Sequence, residues 1–316
     1  MTVVDLLTLG ETMVLLSSPR IGPLRHARSL DVGVGGSESN LAIGLVRLGR
    51  SATWVGRLGD DEFGHLIRST LAGEGVDASH VIMDPAAPTG LMLKSRRTAT
   101  VTAVHYYRTG SAGSRLRPGD VSPDLVRAAR VLHVSAITPA LSGTAREAVR
   151  AAVDEAVAAG VPVSLDLNYR RALWSPSEAG AEMRALAKQA TVVFAAEDEA
   201  RLVVEGDSPA ALARGLAALG PREVVVKRGE RGALGMVDGR AYEAPLFQVT
   251  AVDPVGAGDA FAAGYLSELF AGGDPAERLA TGAAAGAFAV TVAGDWEGLP
   301  RPGELSLLRA TDAVQR

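Results

Sequence analysis

Short apolar runs alternate with helix-forming segments through the second half of the chain, and this alternation restricts the fold more than any other feature. Residues 131–135 (VLHVS) form an apolar run, residues 143–160 repeat apolar side chains near a 3.6-residue period, and residues 161–168 form the next apolar run. The pattern then predicts a helix at about 177–188, a strand in TVVFAA, helices around Glu197 and Ser208, a strand in EVVVKRG, and a buried helix from Ala260.

Strands that alternate with helices in this way predict parallel βαβ units. Such units build one mostly parallel sheet with helices on both faces, and ligands bind at the carboxyl ends of its strands. The sequence therefore predicts an α/β fold of three layers, with the functional site along one edge of the sheet.

The N-terminal part departs from this alternation. Residues 89–97 (TGLMLKSRR) and 99–108 (ATVTAVHYYR) are consecutive strand-like segments, joined by a short polar turn with no helix between them. Together with the region around residues 12–34 they can form a small separate sheet. We expect this sheet to lie over the mouth of the main sheet as a lid.

The composition excludes several classes of partner and cofactor. The net charge is −4, so binding to nucleic acid or to a membrane surface has little electrostatic support. There is no cysteine and the 5 histidines show no HxxxH spacing, so any metal must have oxygen ligands. The apolar N-terminus is interrupted by Asp5 and Glu11 and lacks a basic region, which favours a first core strand over a signal peptide and predicts a cytoplasmic protein.

A glycine-rich turn, VGAGD at residues 255–259, is the best candidate for an anion site. The first strand is followed by LGETMV instead of GxGxxG, and the chain has no GxxxxGK[ST], so the dinucleotide and P-loop signatures are missing. Gly256 and Gly258 let the backbone approach a ligand closely. The amides of Ala257, Gly258 and Asp259 would then form an anion hole at the start of the predicted helix.

Asp259 ends this turn with a carboxylate, which is the wrong partner for a permanently bound phosphate. A carboxylate at this place can accept a proton from an attacking hydroxyl, while the amides stabilise the phosphoryl group during its transfer. The alternative is that Asp259 is an ordinary cap, a role that stabilises a helix by about 1 kcal/mol.

Five segments in order along the chain carry a family resemblance. VGGSESNLAIGLVRLG at residues 34–49, VVVKRGERGAL at 224–234 and VDPVGAGDAFAAG at 252–264 resemble the PfkB, or ribokinase-like, carbohydrate kinases. HYYRTGSAGS at 105–114 and SLDLNYRRALWSP at 164–176 resemble the 2-keto-3-deoxygluconate kinases of that family.

This resemblance covers nearly the whole chain and implies a doubly wound, mostly parallel sheet with a small β-sheet lid. It implies ATP and Mg²⁺ as cosubstrate and cofactor, with Asp259 as the catalytic base. It also implies that Gly36 and Asn40 line a sugar site, which suits a glycine pair before a helix and an amide that both donates and accepts. For Asn40 the alternative is a plain turn or early-helix residue.

Three further residues are candidates for the sugar site. On a strand, Tyr106 and Arg108 share one face and Tyr107 points to the other, so one tyrosine can join Arg108, and the resemblance favours Tyr106. Arg170 follows the strand SLDLN at the edge where ligands gather, and an arginine fork binds a carboxylate better than lysine does. The alternatives are a lid strand with one apolar and one polar face, and a surface ion pair for Arg170 or the adjacent Arg171.

The resemblance assigns the nucleotide side to a loop that contains Lys227, Gly229 and Gly232. Glu199 falls at the glutamate of the family's NxxE motif, which is associated with Mg²⁺ mostly through water. Here Ala196 replaces the asparagine, so an exposed acidic helix start is the alternative for Glu199.

Other positions also depart from the family pattern. Ala283 replaces the asparagine often found beside adenine, and Met92 stands where related kinases can have an aromatic residue over the sugar. Asp253 and Val255 lie where some relatives bind a monovalent cation, but Pro254 and Val255 replace the usual threonines.

We therefore expect one kinase domain over residues 1–316, with a lid from about 12–34 and 89–110 that pairs with a second copy through exposed lid strands. The expected reaction is ATP-dependent phosphorylation of 2-keto-3-deoxy-D-gluconate to its 6-phosphate. The first alternative is a fructokinase or ribokinase. Arg108 and Arg170 argue against it, because neutral sugars carry no carboxylate for two arginines to bind. A non-catalytic sugar or nucleotide sensor is the second, which Asp259 disfavours.

Overall fold

A computed structural model describes residues 3–98 and 101–309. Its N-terminal elements are β1 (Val4–Leu9), β2 (Met13–Ser17), β3 (Asp31–Gly35), α1 (Ser37–Arg47), β4 (Ala52–Val55), β5 (Arg57–Gly59), α2 (Glu62–Gly73), β6 (Ile82–Asp84), β7 (Leu91–Arg96), β8 (Thr102–Tyr107) and α3 (Pro123–Arg127). They are followed by β9 (Ala129–Ser135), α4 (Gly143–Ala158), β10 (Val163–Asp166), α5 (Pro176–Ala187), β11 (Val192–Ala196), α6 (Glu197–Val203), α7 (Pro209–Ala217), β12 (Glu223–Lys227), β13 (Ala233–Val237), β14 (Arg240–Glu243), α8 (Ala257–Ala271) and α9 (Pro275–Ala289). The predicted strand 99–108 and the predicted domain 1–316 extend beyond the described residues.

The largest sheet of the described chain has the strand order β14-β13-β12-β11-β10-β9-β1-β4. The strands from β4 to β12 in this order are all parallel, and β13 and β14 add antiparallel strands at one edge. Successive strands are added on one side of β1 and then on the other, so the order reverses between β1 and β9. Such a reversal leaves a crevice at the carboxyl ends of the strands.

Helices cover both faces of this sheet, as the alternating pattern predicts. On one face α4, α5 and α7 pack Val149, Met183 and Leu212 into a core with the strands. On the other face α1 and α8 pack against each other and against the sheet, and Phe194 of β11 meets the edge of the Tyr265 ring at a centroid distance of 5.4 Å. The fold is a doubly wound, mostly parallel α/β sheet.

Local signals in the sequence determine where several helices begin. The side chains of Ser142, Ser175, Ser208 and Asp274 accept hydrogen bonds from backbone amides in the first turns of α4, α5, α7 and α9, respectively. These caps satisfy amides that have no partner inside the helix. Helix α8 begins at Ala257, three residues before the predicted start at Ala260, because the glycine turn itself forms its first turn.

A second, smaller sheet has the strand order β3-β2-β7-β8 and lies beside the crevice. Its strands match the two segments predicted as a lid, except that β3 ends at Gly35, one residue beyond the predicted bound, and β7 and β8 pair antiparallel without a helix between them. Met13, Leu15 and Met92 form a small apolar cluster on it. No helix among the described residues is long and apolar enough to cross a membrane.

Candidate active site

A cavity of about 320 Å³ opens at the carboxyl ends of the main sheet, beneath the small sheet. Asp166 and Lys227, the last residues of β10 and β12, form part of its floor. Lys94 and Tyr106 reach it from β7 and β8 of the small sheet. The volume suits a small ligand, and both sheets contribute side chains that can contact it.

Asp259 lies in this cavity, in the first turn of α8, and is 9% exposed. Its Oδ1 accepts a hydrogen bond of 2.7 Å from the hydroxyl of Ser37, and its Oδ2 accepts one of 2.9 Å from the Nδ2 of Asn40. Both donors belong to the first turn of α1, so two helix N-termini meet at one carboxylate. Asn168, which has a φ of 34°, donates in turn to the Ser37 hydroxyl at 2.7 Å.

Burial raises the pKa of Asp259 from 3.8 to about 7. The bonds from Ser37 and Asn40 lower the pKa but do not offset the loss of water, and the charge of Asp166 raises it further. A group with a pKa near 7 is well suited to take up and release a proton at neutral pH.

The glycine turn before Asp259 has the geometry of an anion hole. Gly256 has a φ of +81°, and a Cβ at this position would lie 2.0 Å from the carbonyl oxygen of Asp295, so only glycine fits. The amides of Ala257, Gly258 and Asp259 are the first three of α8 and have no acceptor within the described chain. They leave a place for negative charge at the positive end of the helix.

Lys227 adds a cation beside this turn. Its ammonium lies 2.6 Å from Oδ2 of Asp166 and would lie 3.2 Å from a Cβ at Gly258. Burial by itself lowers the pKa of Lys227, but the carboxylates of Asp166 and Glu199 outweigh burial and raise the pKa overall. The lysine is therefore charged and faces the anion hole.

Of the two carboxylates near the glycine turn, Asp166 is better suited than Glu199 to bind a divalent cation. Asp166 lines the cavity, and its Oδ1 is buried and has no hydrogen-bond partner in the described chain. Both oxygens of Glu199 are engaged, one by the amide of Ala196 at 2.7 Å and one by the amide of Tyr169 at 3.0 Å. No group of three or more His, Asp or Glu side chains forms a ready metal site in residues 3–98 and 101–309.

The alternative for Glu199 was an exposed acidic helix start, but Glu199 is not exposed. It is buried, and burial raises the pKa of its carboxyl group. Its observed contacts cap α6 and fix the loop that carries Tyr169. A role for Glu199 toward a metal, through water, stays a prediction.

The five residues predicted for the sugar site all line the same cavity: Gly36, Asn40, Tyr106, Arg108 and Arg170. Gly36 has no room for a side chain, since a Cβ there would lie 2.5 Å from the carbonyl oxygen of Glu11. Tyr107 does not line the cavity and is 63% exposed, as the alternation along a strand predicts. The guanidinium of Arg108 lies 5.6 Å from the centre of the Tyr106 ring.

The two arginines of the cavity differ in their partners. Arg108 is buried, its Nε donates a hydrogen bond of 2.7 Å to Oε2 of Glu11, and its Nη2 lies 2.5 Å from the same oxygen in an ion pair. Arg170 donates only to the carbonyl of its neighbour Tyr169, at 3.2 Å, and no carboxylate pairs with it in the described chain. Arg170 is therefore the cavity cation without an ion-pair partner among the described residues, although its charge lowers the pKa of Asp259 and of Glu199.

Of the residues predicted for the nucleotide, Lys227 lines the cavity and Gly229 and Gly232 do not. They belong to the loop between β12 and β13, outside the cavity. Leu246 packs over Gly232, and the next residue, Phe247, lines a second cavity of about 350 Å³. That cavity also contacts Ala280, Thr281 and Ala284 of α9, but not Ala283.

Several polar residues of the cavity were not predicted from the sequence: Glu11, Ser37, Glu38, Lys94, Asp166 and Asp295. Glu38 is completely buried and accepts bonds from Ser135 and Thr138 at 2.6 and 2.7 Å, and burial raises the pKa of its carboxyl group. Ser37 and Glu38 lie inside the quoted segment 34–49, and Asp166 lies inside SLDLN. A charged residue in an otherwise apolar strand was the available signal for Asp166.

Comparisons with known proteins identify the family of the chain. The family described as pfkB family carbohydrate kinase matches residues 4–302. The chain is 39% identical to 2-dehydro-3-deoxygalactonokinase of Haloferax volcanii, over 92% of each chain, and 37% identical to 2-dehydro-3-deoxygluconokinase of Thermoproteus tenax, over 97% of this chain and 95% of the relative. A fructokinase of Xylella fastidiosa with bound ATP superposes with a TM-score of 0.83 at 25% identity, over 96% of this chain and 97% of that one.

Replacement of the proposed base tests its role. We expect Asp259→Asn and Asp259→Ala to lower kcat for phosphoryl transfer by roughly 10²- to 10⁴-fold, the usual range for loss of a general base, with a modest change in KM. Steady-state kinetics with ATP and sugar measure both constants. A variant that keeps nearly the wild-type kcat would show that Asp259 is only a cap.

The pH dependence tests the cause of the raised pKa. Because Asp259 acts only when ionised, we expect kcat/KM to be constant above about pH 7 and to fall about tenfold per unit below its pKa. Ser37→Ala removes a donor that lowers the pKa, so its profile should shift to higher pH. Ser39→Ala is the matched control, because the Ser39 hydroxyl bonds to the carbonyl of Gly36 instead. A profile that is flat to pH 5.5, or one that Ser37→Ala leaves in place, would contradict this account.

Proposed function

Because the chain belongs to the pfkB family of carbohydrate kinases, we propose that it phosphorylates the primary hydroxyl of 2-keto-3-deoxy-D-gluconate with ATP and releases the 6-phosphate. The observation that carries the choice of an acid sugar is Arg170, a cavity cation without a carboxylate partner in the described chain. The names of the relatives from Haloferax volcanii and Thermoproteus tenax support the same class of substrate.

A count of charges in the cavity explains why Arg170 is informative. Lys94 pairs with Asp253 and Asp295, and Lys227 pairs with Asp166. Arg108 pairs with Glu11, although its Nη1 has no bond among the described residues. A sugar acid brings the carboxylate that Arg170 lacks, and Arg108 can add a donor beside Tyr106.

The chemistry follows from the position of Asp259. Its carboxylate takes the proton of the attacking sugar hydroxyl as the new bond to the γ-phosphorus of ATP forms and the bond to the leaving oxygen of ADP breaks. The free amides of Ala257, Gly258 and Asp259 and the ammonium of Lys227 stabilise the negative charge of the phosphoryl group in transfer. Asn40 and Ser37 hold the carboxylate in place.

Mg²⁺ enters this proposal as the partner of ATP. When bound, it neutralises charge on the phosphates. Asp166, whose Oδ1 is free, would hold it directly or through water, and Glu199 would act through water.

We propose that the purine base of ATP binds in the second cavity. This cavity is lined mainly by apolar side chains, which suits the face of a purine, and Leu246 connects it to the predicted nucleotide loop at Gly232. Lys227 would then face the phosphates, with Gly229 and Gly232 shaping the loop between the two. The ATP requirement would place the reaction in the cytoplasm.

The small sheet is proposed to be a lid. Its residues Lys94, Tyr106 and Met92 line the cavity from above, and a closed sheet keeps water from the phosphoryl group. Its edge strand β8 and the exposed side chains of Val32 and Tyr107 offer a surface for pairing with a second copy. Light scattering that gives only the monomer mass of 32.6 kDa would contradict pairing.

Two rival functions remain for experiment. A fructokinase or ribokinase would turn over a neutral sugar best, and a non-catalytic sensor would bind sugar or nucleotide without consuming ATP. An ATP-consumption assay over 2-keto-3-deoxygluconate, 2-keto-3-deoxygalactonate, fructose and ribose separates them. The proposal expects the sugar acids to have the highest kcat/KM, and a neutral sugar in first place, or no ATP consumption with any sugar, would overturn it.

Arginine variants test why the sugar acid is preferred. A charge-assisted hydrogen bond contributes about 1.5 to 3 kcal/mol, so Arg170→Ala should lower kcat/KM for the acid by roughly ten- to a hundredfold and leave that for fructose much less changed. Arg108→Ala should lower both, since it also leaves Glu11 without its partner. Arg171→Ala is the matched control, because that neighbouring arginine is exposed and does not line the cavity. Equal losses on acid and neutral sugars in Arg170→Ala would mean that this residue serves the phosphate or the fold.

Hydrogen exchange tests the lid. We expect the amides of β7 and β8 to exchange more slowly when a sugar and a nonhydrolysable ATP analogue are bound together than when either is bound alone, because closure requires both. Mass spectrometry of peptides from this region measures the rates. Exchange that is insensitive to ligands would show that the small sheet does not close.

A further inference from the structure

Lys94 occupies an unusual place between the small sheet and the glycine turn. It lies on β7, is 5% exposed and points into the cavity. Its ammonium lies 2.5 Å from Oδ2 of Asp253 and 2.9 Å from Oδ1 of Asp295. Burial by itself lowers the pKa of Lys94, but the two carboxylates outweigh burial and raise the pKa overall, so the side chain is charged.

The two carboxylates belong to segments that enclose the glycine turn. Asp253 lies three residues before Gly256 and accepts bonds from the amides of Val255 at 3.2 Å and Gly294 at 3.3 Å. The backbone carbonyl of Asp295 lies so close to Gly256 that a Cβ there would be 2.0 Å away. The Lys94 ammonium thus bridges the two segments that carry Asp253 and Asp295 and that contact the glycine turn.

The carboxylates of Asp253 and Asp295 require a cation between them. Asp253 and Asp295 are both buried, and without Lys94 they would repel each other across the turn. The family resemblance places Asp253 and Val255 where some relatives bind a monovalent cation, although Pro254 and Val255 replace the usual threonines here. In the structure, the carboxylate of Asp253 already has a monovalent cation that is part of the chain.

We propose that Lys94 is a positioning residue for phosphoryl transfer, whose ammonium acts as a built-in monovalent cation and holds Asp253 and Asp295 around the glycine turn. This inference rests on the proposed kinase reaction, whichever sugar is phosphorylated. It has two consequences: the wild-type enzyme needs no added K⁺ or NH₄⁺, and removal of the lysine creates a need for one. The role acts through the anion-hole amides, so it affects kcat more than KM.

The test measures kcat with the best sugar of the panel in buffers that contain either tetramethylammonium chloride or ammonium chloride at equal ionic strength. Wild type should give the same kcat in both. Lys94→Ala should lose about 10- to 100-fold in kcat with the bulky cation, the scale expected when the reacting groups are misplaced. Ammonium should restore most of that loss with a saturable dependence on concentration. Lys188→Ala, at an exposed lysine, is the matched control and should respond to neither change.

Each outcome decides the proposal. It is overturned if wild type itself depends on ammonium, if Lys94→Ala keeps the wild-type kcat without it, or if a folded Lys94→Ala variant is not rescued. If Lys94→Ala does not fold, the triple variant Lys94→Met/Asp253→Asn/Asp295→Asn removes all three charges together. A folded triple variant with a kcat lowered tenfold or more supports the proposal. An unchanged kcat refutes it. Absence of any turnover by wild type would instead count against the proposed function.

Discussion

The hydrogen-bonded contact between the first turns of α1 and α8 is the interaction on which the site depends. The two helices pack together on one face of the sheet, and this packing brings Ser37 and Asn40 to the carboxylate of Asp259. The same packing removes water from the carboxylate. A rise of the pKa from 3.8 to about 7 corresponds to a penalty on the ionised form on the order of 4 kcal/mol. Burial therefore dominates over the two donors, and the fold itself gives the proposed base a pKa near neutral pH.

The remaining charges of the cavity are arranged around this carboxylate with little excess. Lys227 balances Asp166, Arg108 balances Glu11, and the ammonium of Lys94 is shared by two carboxylates. Buried charges are tolerated because they are paired. Among the cations of the cavity, Arg170 is the one without a carboxylate at ion-pair distance in the described chain, and a ligand that brings a carboxylate would supply that partner.

Much of the architecture could be predicted because it is encoded locally. The alternation of apolar runs and helical segments predicted the three-layer fold, and the two consecutive strands before residue 109 predicted a separate small sheet. The motif around Asp259 pointed to a turn that lines the cavity, and strand alternation separated Tyr106, which lines the cavity, from Tyr107, which does not.

The partners of these residues could not be predicted, because they are distant in sequence and depend on how the layers pack. Ser37 and Asp259 are 222 residues apart, Lys94 and Asp295 are 201 apart, and Arg108 and Glu11 are 97 apart. No spacing rule connects such pairs. Glu199 shows the same limit: the alternative to its predicted water-mediated metal role was an exposed acidic helix start, but the carboxylate is buried and accepts hydrogen bonds from two backbone amides.

The claim that burial tunes Asp259 as the base is tested most directly by its own titration. Carbon-13 NMR of the side-chain carboxyl groups, with Asp259→Asn to assign the signal, gives the pKa without reference to turnover. The account predicts a midpoint at about 7 in the enzyme without ligands. A midpoint close to the ordinary value of 3.8 would contradict it, because the carboxylate would then be solvated or fully stabilised by Ser37 and Asn40.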